Sequence, residues 1–332
     1  MKKSLIALAV AGSFAAPAAF AATANVDIYG RVNIAIQDTN SSGNAGDLDV
    51  VTNPSRIGFK GSEDLGGGLK ALWQIEQQFN ATGDNNTAFG GAGLRNTFIG
   101  VAGGFGTALI GRHDTPYKIA TGKYNIFVDT IGEYNGRAMN GHTVELVDAT
   151  HNSRATNAIA YISPNFSGLT VAAAVVASND TATTAPAGAT LNSTEDNFDA
   201  YSVALMYANG PLTVDFGWQD VKEFSDAWKL GVGYTFGDAK VGFVYEDMDR
   251  DGIGDLRKSW LLNGAYNLGA ITLKAQYGRV KWDAGGRDKA MMLGADYSMS
   301  KRTTAYVVYA HADDDGVSGK GKGWNIGLAH NF

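Results

Sequence analysis

Residues 229–246 read KLGVGYTFGDAKVGFVYE, and their alternation decides the fold class. Alternate positions on both sides of Gly237-Asp238 are apolar or aromatic. The positions between them carry glycine, threonine, lysine and glutamate, with Val244 as the one apolar exception. This period of two predicts a β-hairpin with one apolar face. We interpret the apolar face as touching lipid. The opposite face, with its glycines and few charged residues, is here called the sparse face. We interpret it as bordering a water-filled lumen, where small side chains leave room for solutes.

The N-terminus has the three parts of a secretory signal peptide. Lys2 and Lys3 precede the apolar run LIALAVAGSFAAPAAF, and the small-residue sequence AFA ends at Ala21. A membrane anchor helix is the weaker alternative, because a glycine and a proline interrupt the run. We therefore expect cleavage of residues 1–21 and an exported domain of residues 22–332. No later apolar run approaches the ~20 residues of a membrane helix, so a mature chain in the membrane must be a closed barrel.

Composition excludes several classes of function. The chain has 332 residues, no cysteine and a formal net charge of −6, and it contains no basic run. These features argue against a nucleic-acid partner and against disulfides. The five histidines are too dispersed for a metal site, and no glycine-rich strand–loop–helix unit indicates a phosphate-binding cofactor. We expect no catalytic residue, no metal and no cofactor.

Period-two stretches recur in pairs along the mature chain. Seven short turns bearing Gly, Asn or Asp each join two candidate strands, at residues 63–68, 102–106, 163–168, 208–211, 236–239, 267–270 and 298–302. With one strand before the first pair and one after the last, the count is sixteen. Short turns alternate strictly with longer polar loops, which is typical of an outer-membrane barrel with short periplasmic turns. A soluble β-sandwich shares the alternation but does not require sixteen strands.

Aromatic residues concentrate at the strand ends of the apolar faces. This distribution predicts the aromatic girdles that mark the two membrane interfaces of a transmembrane barrel. The residues concerned are Trp218, Trp228, Trp260, Tyr234, Tyr266 and Tyr277.

Five blocks of the sequence resemble the general porins of Gram-negative outer membranes, of the β-proteobacterial type. They are DIYGRVNIAI (27–36), SRIGFKGSEDLGGGLKALWQIE (55–76), FIGVAGGFGTALIGR (98–112), NAIAYISPNFSGL (157–169) and GLAHNF (327–332). The resemblance spans essentially the whole mature chain. It implies an all-β, 16-stranded antiparallel transmembrane β-barrel, a homotrimer, and a long third outer loop folded into the lumen. It also implies passive diffusion of small hydrophilic solutes and ions.

Residues 113–152 form the longest stretch between candidate strands, and a loop of this length in a compact fold is usually functional. Its segment DTIGEYNGR (129–137) resembles the part of the family's loop that meets the constriction. The resemblance makes Asp129 and Glu133 the acidic candidates there, with Arg137 able to pair with either. The alternative is that these acids cap turns within the loop.

Strand height and alternation predict a basic wall opposite this loop. Lumen-facing residues five to nine positions from the periplasmic end of a strand lie near the middle of an apolar band about 25 Å tall. The arginines that meet this condition are Arg31, Arg56, Arg112 and Arg154. Lys60 shares the face of Arg56 nearer the periplasmic mouth, and the face of Arg95 stays open because the alternation of RNTFIGV is unclear.

We therefore expect an outer-membrane porin with size and charge selection at an arginine–carboxylate constriction, surrounded by outer-membrane lipid and lipopolysaccharide. The basic wall favours anions. A substrate-selective channel of the same fold is an alternative. A barrel hydrolase is weaker, because His113, His142 and Ser153 show no triad signature. The segment DMDRDGIGDLRK (247–258) matches a calcium loop only partly, since lysine replaces its final ligand.

Overall fold

The computed structural model describes residues 26–41, 48–82, 93–136, 144–177, 183–184, 190–191, 197–315 and 319–332. The expected signal peptide lies outside them. The strands are β1 (Asp27–Ser41), β2 (Leu48–Thr52), β3 (Ser55–Gly66), β4 (Leu69–Phe79), β5 (Thr97–Gly103), β6 (Gly106–Asp114), β7 (Arg154–Ile162), β8 (Leu169–Ala177), β9 (Thr183–Thr184), β10 (Thr190–Leu191), β11 (Phe198–Asn209), β12 (Leu212–Val221), β13 (Ser225–Phe236), β14 (Ala239–Arg250), β15 (Gly254–Leu268), β16 (Ile271–Trp282), β17 (Arg287–Ser298), β18 (Thr303–Asp314) and β19 (Gly319–Asn331).

Helical structure is limited to one short element among the described residues. The helix α1 (Pro116–Thr121) is followed directly by a 3-10 turn (Gly122–Tyr124). Six residues are too few for the 3.6-residue period to stand out, which is why the sequence showed no helix here. Across the described part of the chain, no helix has the length and apolar character to cross a membrane.

The barrel contains sixteen antiparallel strands, as the sequence predicted. β2 and β3 both pair with β1 and together form one barrel strand, interrupted at Asn53-Pro54. The interruption follows from Pro54, which has no N–H to donate to the ladder. β1 also pairs with β19, for example Ile34 with Leu328, and this pairing closes the sheet. β9 and β10 pair only with each other.

The seven predicted turns all join consecutive strands, but the strict alternation with long loops is wrong. Three connections at the opposite rim are short: residues 222–224, 251–253 and 283–286. The polar residues that suggested loops there are paired in the sheet instead. Asp249, for example, lies opposite Asp255 across the β14–β15 ladder.

The calcium-like segment 247–258 therefore forms the tip of a β-hairpin and not the helix-flanked loop of an EF-hand. The carboxylates of Asp247, Asp249 and Asp255 lie within 4.8 Å of one another. The Lys258 ammonium lies 3.5 Å from Asp247 and 2.9 Å from Asp255, and so partly neutralises the group. The arrangement is that of an ordinary charged hairpin end.

The apolar faces of the strands point outward. Along β13 and β14, Leu230, Tyr234, Phe236 and Phe243 are exposed, whereas the alternate residues are mostly buried. A membrane-facing barrel exposes apolar side chains in this way. The apolar face of the opening sequence stretch is therefore on the outside of the barrel, as predicted.

The sparse face of the same hairpin differs from its prediction. A Cβ built at Gly231, Gly233 or Gly242 would lie 2.2, 2.9 or 3.0 Å from the ring of Tyr124. The glycines therefore make room for an aromatic side chain and not for solutes. Val244, 1% exposed, belongs to the same buried cluster as Tyr124. Its apolar character on the polar face follows from this packing.

Candidate pore constriction

Residues 115–153, the segment between β6 and β7, are here called the third-loop segment; residues 115–136 and 144–153 of it are described. Thr115 begins α1, because its side-chain oxygen accepts a hydrogen bond of 3.2 Å from the Lys118 backbone N–H. Pro116 follows at the first helical position, where the missing N–H costs nothing. The segment thus leaves the barrel wall through a capped helical turn.

The first half of the third-loop segment is bonded to buried polar residues of β12, β14 and β15. The Tyr117 hydroxyl donates to Glu246 at 2.8 Å. Asp215 accepts from the Tyr124 hydroxyl at 2.5 Å and from the Lys123 ammonium at 2.8 Å. Such bonds to charged acceptors are among the stronger side-chain hydrogen bonds. They hold this half of the segment against one side of the barrel.

The second half is held against the same side. The backbone N–H of Asp148 donates to Glu246 at 2.8 Å, so one carboxylate binds both halves. Arg257 donates to the Glu145 carbonyl oxygen at 2.6 Å, and Ser259 to that of Leu146 at 2.8 Å. A buried apolar cluster fills the space between loop and wall. It includes Phe127, Ile131, Leu146, Val147, Val244, Leu261, Val280, Met292 and Val308.

Lys229 is buried completely at this contact. Its ammonium lies 3.9 Å from the ring centroid of Tyr117 and donates to the Asn152 side chain at 2.9 Å. Burial removes the hydration of the Lys229 ammonium, which costs free energy. The contact with the aromatic ring and the hydrogen bond to Asn152 offset part of that cost. Lys229 was expected to border the lumen, but the third-loop segment covers it.

Asp129 meets two of the four predicted arginines. Its Oδ2 atom lies 2.8 Å from Arg56 Nη1 and 3.4 Å from Arg31 Nε. The Asn33 side chain donates to the Asp129 carbonyl oxygen at 2.8 Å. Burial raises the pKa of the Asp129 carboxyl, but Arg56 and Arg31 outweigh burial and hold that pKa below its usual value. Asp129 is therefore an anion at neutral pH.

The other two predicted arginines lie in a second group and are not paired with Asp129. Arg154 lies 3.0 Å from Asp114 and donates to the Asn96 side chain at 2.7 Å. Lys118 of α1 also lies 3.0 Å from Asp114. For Arg112, no ion pair or hydrogen bond to its guanidinium is found among the described residues. Its charge is thus the least compensated of the four.

Three residues between the Asp129 group and the Asp114 group were not predicted as site residues: Tyr29, Glu76 and Arg95. Arg95 pairs with Glu76, and the Tyr29 hydroxyl donates to Glu76 at 3.0 Å. Glu76 shares a polar alternate face with Gln74 and Gln78, so alternation could have identified it. Arg95 precedes the first residue of β5, where no strand period exists to assign its face.

The remaining candidates take separate positions. Asn125 donates to the Glu133 carboxylate at 3.2 Å. Lys60 is exposed, with its ammonium 5.3 Å from the Tyr29 ring centroid. Arg137 lies outside the described residues.

The hydrolase alternative can be tested against the histidines. His113 packs edge-on against Phe98, and its Nδ1 atom lies 2.8 Å from the Asp114 carbonyl oxygen. His142 lies outside the described residues. His151 lies between Ser225, at 3.2 Å, and Asp148, at 3.3 Å, which is the connectivity of a catalytic triad. Ser225 and His151 are both 0% exposed, so no substrate can reach them.

Comparison with known proteins shows the same similarity along the whole chain. The family model described as Gram-negative porin matches residues 5–317. The major outer membrane protein P.IB of Neisseria meningitidis serogroup A is 31% identical over 367 residues, covering 100% of both chains. Outer membrane porin protein 32 of Delftia acidovorans is 32% identical and covers 92% of this chain and 88% of its own. The solved anion-selective porin from Comamonas acidovorans superimposes with a TM-score of 0.74 at 24% identity, over 92% of this chain and 99% of that one.

Proposed function

This chain belongs to the Gram-negative porin family, and from that premise we propose that its solutes pass a constriction between the third-loop segment and a wall of arginines. The protein is a channel of the outer membrane for passive diffusion, and it is not an enzyme. The proposal concerns where the channel is narrowest and which charges a solute meets there.

The contacts of the third-loop segment support its position inside the lumen. Its partners Asp215, Glu246 and Asn263 are buried, and they alternate with apolar residues that are half-buried on β12 and include exposed ones on β14 and β15. A segment bonded to the face opposite the lipid-facing one occupies the inside of the barrel. It narrows a lumen that sixteen strands would otherwise leave wide.

The charges of the described wall support a preference for anions. Along β1 and β3–β7, basic side chains outnumber the carboxylates that pair with them. The basic residues are Arg31, Arg56, Arg95, Arg112, Arg154 and the nearby Lys118, and the acids are Glu76, Asp114 and Asp129. A small anion passing this wall exchanges part of its hydration for contacts with guanidinium groups. Local field outweighs the net negative charge of the whole chain.

The single observation on which the proposal rests is the placement of Asp129 between Arg31 and Arg56. Asp129 joins the third-loop segment to the basic wall at one edge of the proposed solute path. Reversal potential in a planar bilayer under a KCl gradient tests the proposed charge selection. Solute flux that rises linearly with concentration indicates a general porin, whereas saturating flux indicates a substrate-selective channel.

We also propose that the protein is a homotrimer and that residues 1–21 are removed during export. Family membership supports the first, and the basic, apolar and small-residue parts of the N-terminus support the second. The mass of the purified protein in detergent and its N-terminal sequence test the two points separately.

A further inference from the structure

A row of basic side chains lies just above the aromatic girdle on five consecutive strands. We call the rim opposite the seven short turns the outer rim. On each strand from β15 to β19, the lipid-facing residue two positions nearer this rim than the girdle residue is basic. Four of these residues lie above an aromatic one: Lys258 above Trp260, Arg279 above Tyr277, His311 above Tyr309, and Lys322 above Trp324; on β17, Lys289 lies above Met291, which takes the place of an aromatic residue in the girdle. We call these five basic residues the basic belt.

The strand register shows that the belt is on the outside of the barrel. Arg279 pairs with Trp260 and with Lys289, which is 49% exposed. The residues next to Arg279 in the chain, Gly278 and Val280, are buried on the lumen side. Because side chains alternate between faces, the belt shares the lipid-facing side with the girdle.

The lipid-facing positions two residues nearer the outer rim than the basic belt add more positive charge. Lys281, Arg287 and Lys320 are exposed on β16, β17 and β19. Among the described lipid-facing residues of β16–β19 in this outer part, Asp313 is the one carboxylate. It pairs with Lys289 at 3.1 Å and with Lys320 at 3.7 Å. Lys258 on β15 is paired with Asp247 and Asp255, whereas Arg279, Lys281, Arg287 and Lys322 have no ion pair among the described residues, so this sector keeps an excess of positive charge.

The neighbouring sector has the opposite charge at the same height. On β12, β13 and β14 the residues in the corresponding position are Asp220 above Trp218, Asp226 above Trp228, and Asp247 above Tyr245. The basic belt therefore does not continue onto β12–β14, and it is not a general feature of the rim.

The position of the basic belt along the membrane normal indicates which lipid groups it contacts. Girdle aromatics lie at the membrane interface. Two residues further along a strand tilted by ~45° add roughly 5 Å, which places the belt among the headgroups. Arg279 also donates to the girdle Tyr277 hydroxyl at 2.7 Å, which fixes its charge at this level.

We propose that the basic belt binds phosphate groups of the outer-leaflet lipid. Guanidinium and ammonium groups form charge-assisted hydrogen bonds with phosphate, and several of them close together favour a lipid with more than one negative charge. The binding is separate from solute passage, because the belt is on the face of the wall opposite the lumen. It gives the barrel one sector with a preferred lipid neighbour.

Quenching of tryptophan fluorescence by brominated lipid tests this inference. A variant that keeps only Trp324 reports on the belt, and one that keeps only Trp228 reports on the acidic sector. Both are reconstituted in phosphatidylcholine vesicles that contain either brominated phosphatidic acid or brominated phosphatidylcholine. We expect stronger quenching of Trp324 by the phosphatidic acid at low salt, and no such preference at Trp228.

Three cations of this sector are then neutralised in the Trp324 variant: Lys322 of the basic belt, and Lys281 and Arg287, which lie two positions nearer the outer rim than the belt residues of their strands. The triple change Lys281→Gln, Arg287→Gln and Lys322→Gln breaks no described ion pair, and the preference for phosphatidic acid should fall by about fivefold for each cation. The matched control removes three cations near the opposite rim, Lys70, Lys301 and Arg302, and should retain the preference.

Equal quenching of Trp324 by the two lipids overturns the proposal, as does a preference that the triple change leaves intact. If the single-tryptophan variants do not fold, thermal unfolding of the unmodified protein tests the proposal instead. Its thermal unfolding midpoint should be higher in vesicles containing phosphatidic acid than in pure phosphatidylcholine, and the difference should vanish at high salt. Equal midpoints contradict the proposal. If cysteines introduced at positions 281 and 226 cross-link two copies of the chain, the basic belt is a contact between subunits. That result would also overturn the proposal.

Discussion

The ring of Tyr124 occupies the space that a side chain at position 231 would need. A Cβ on Gly231 would lie 2.2 Å from Tyr124 Cε2, far inside van der Waals contact. The two residues are more than 100 positions apart, one in the third-loop segment and one in β13. This contact fixes how closely the third-loop segment approaches the wall, and with the proposed position of that segment inside the lumen it also determines how much of the lumen remains open.

Gly231→Ala should displace the third-loop segment from its wall. The added methyl group cannot share the space of the Tyr124 ring, so the loop must move toward the arginines. We expect a smaller single-channel conductance in planar bilayers and a lower thermal unfolding midpoint.

Gly264→Ala is the matched control for this change. A Cβ at Gly264 lies 3.6 Å from the Lys240 carbonyl oxygen, an ordinary contact. Conductance should stay at the level of the unchanged protein. Equal conductance of both alanine variants would contradict the proposed role of the Tyr124 contact.

Tyr124→Phe should weaken the attachment of the loop while keeping its packing. The change removes the 2.5 Å hydrogen bond to Asp215, which stays paired with Lys123. Loss of a hydrogen bond to a charged group costs ~1.5–3 kcal/mol, so thermal unfolding should occur at a lower temperature. Tyr234→Phe removes the same atom from an exposed outward ring and should leave the midpoint unchanged. Equal midpoints in both variants would argue against this anchor.

Asp129→Asn should increase the preference for anions. The change removes the carboxylate that Arg56 and Arg31 share, so both guanidinium groups become more available to a passing anion. We expect the reversal potential under a KCl gradient to move further toward the chloride equilibrium potential. A shift toward potassium would show that Asp129 does not oppose the field of the arginines.

The pKa of Asp129 sets the pH range of its effect. Because that pKa is below the ordinary value of 3.8, the carboxylate stays ionised when pH falls from 7 to 5. Its contribution to stability is present above 3.8 and is lost only as pH falls through the lower folded-state value. The difference in reversal potential between the unchanged protein and Asp129→Asn should therefore be the same at pH 7 and pH 5. A difference that disappears by pH 5 would contradict the lowered pKa.

Sequence patterns predicted the elements that depend on local chemistry. Short Gly-, Asn- and Asp-bearing turns located the hairpins, and a period of two assigned the lipid-facing residues, such as Leu230 and Phe243. Aromatic positions such as Trp228 and Tyr277 identified the girdle. These features need no knowledge of distant parts of the chain.

Contacts between distant segments could not be predicted in this way. Val244 looked misplaced on the polar face because its neighbours in the buried cluster, such as Leu146, are about 100 residues away. Arg154 was predicted as part of a basic wall opposite the loop carboxylates, and its pairing with Asp114 was not predicted. An irregularity in the register of β6 between Gly111 and His113 brings these two residues together, and no sequence pattern marks it.

Reversal potential measured on the double variant Arg56→Gln, Arg112→Gln tests the account most directly. Arg56 is paired with Asp129, Arg112 has no described ion pair, and both belong to the proposed anion-attracting wall. Lys301→Gln, Arg302→Gln removes the same charge from an exposed turn and serves as the control. We predict that the unchanged protein and the control favour chloride over potassium, and that the double variant shifts toward potassium. Identical selectivity in all three proteins would contradict charge selection at this wall.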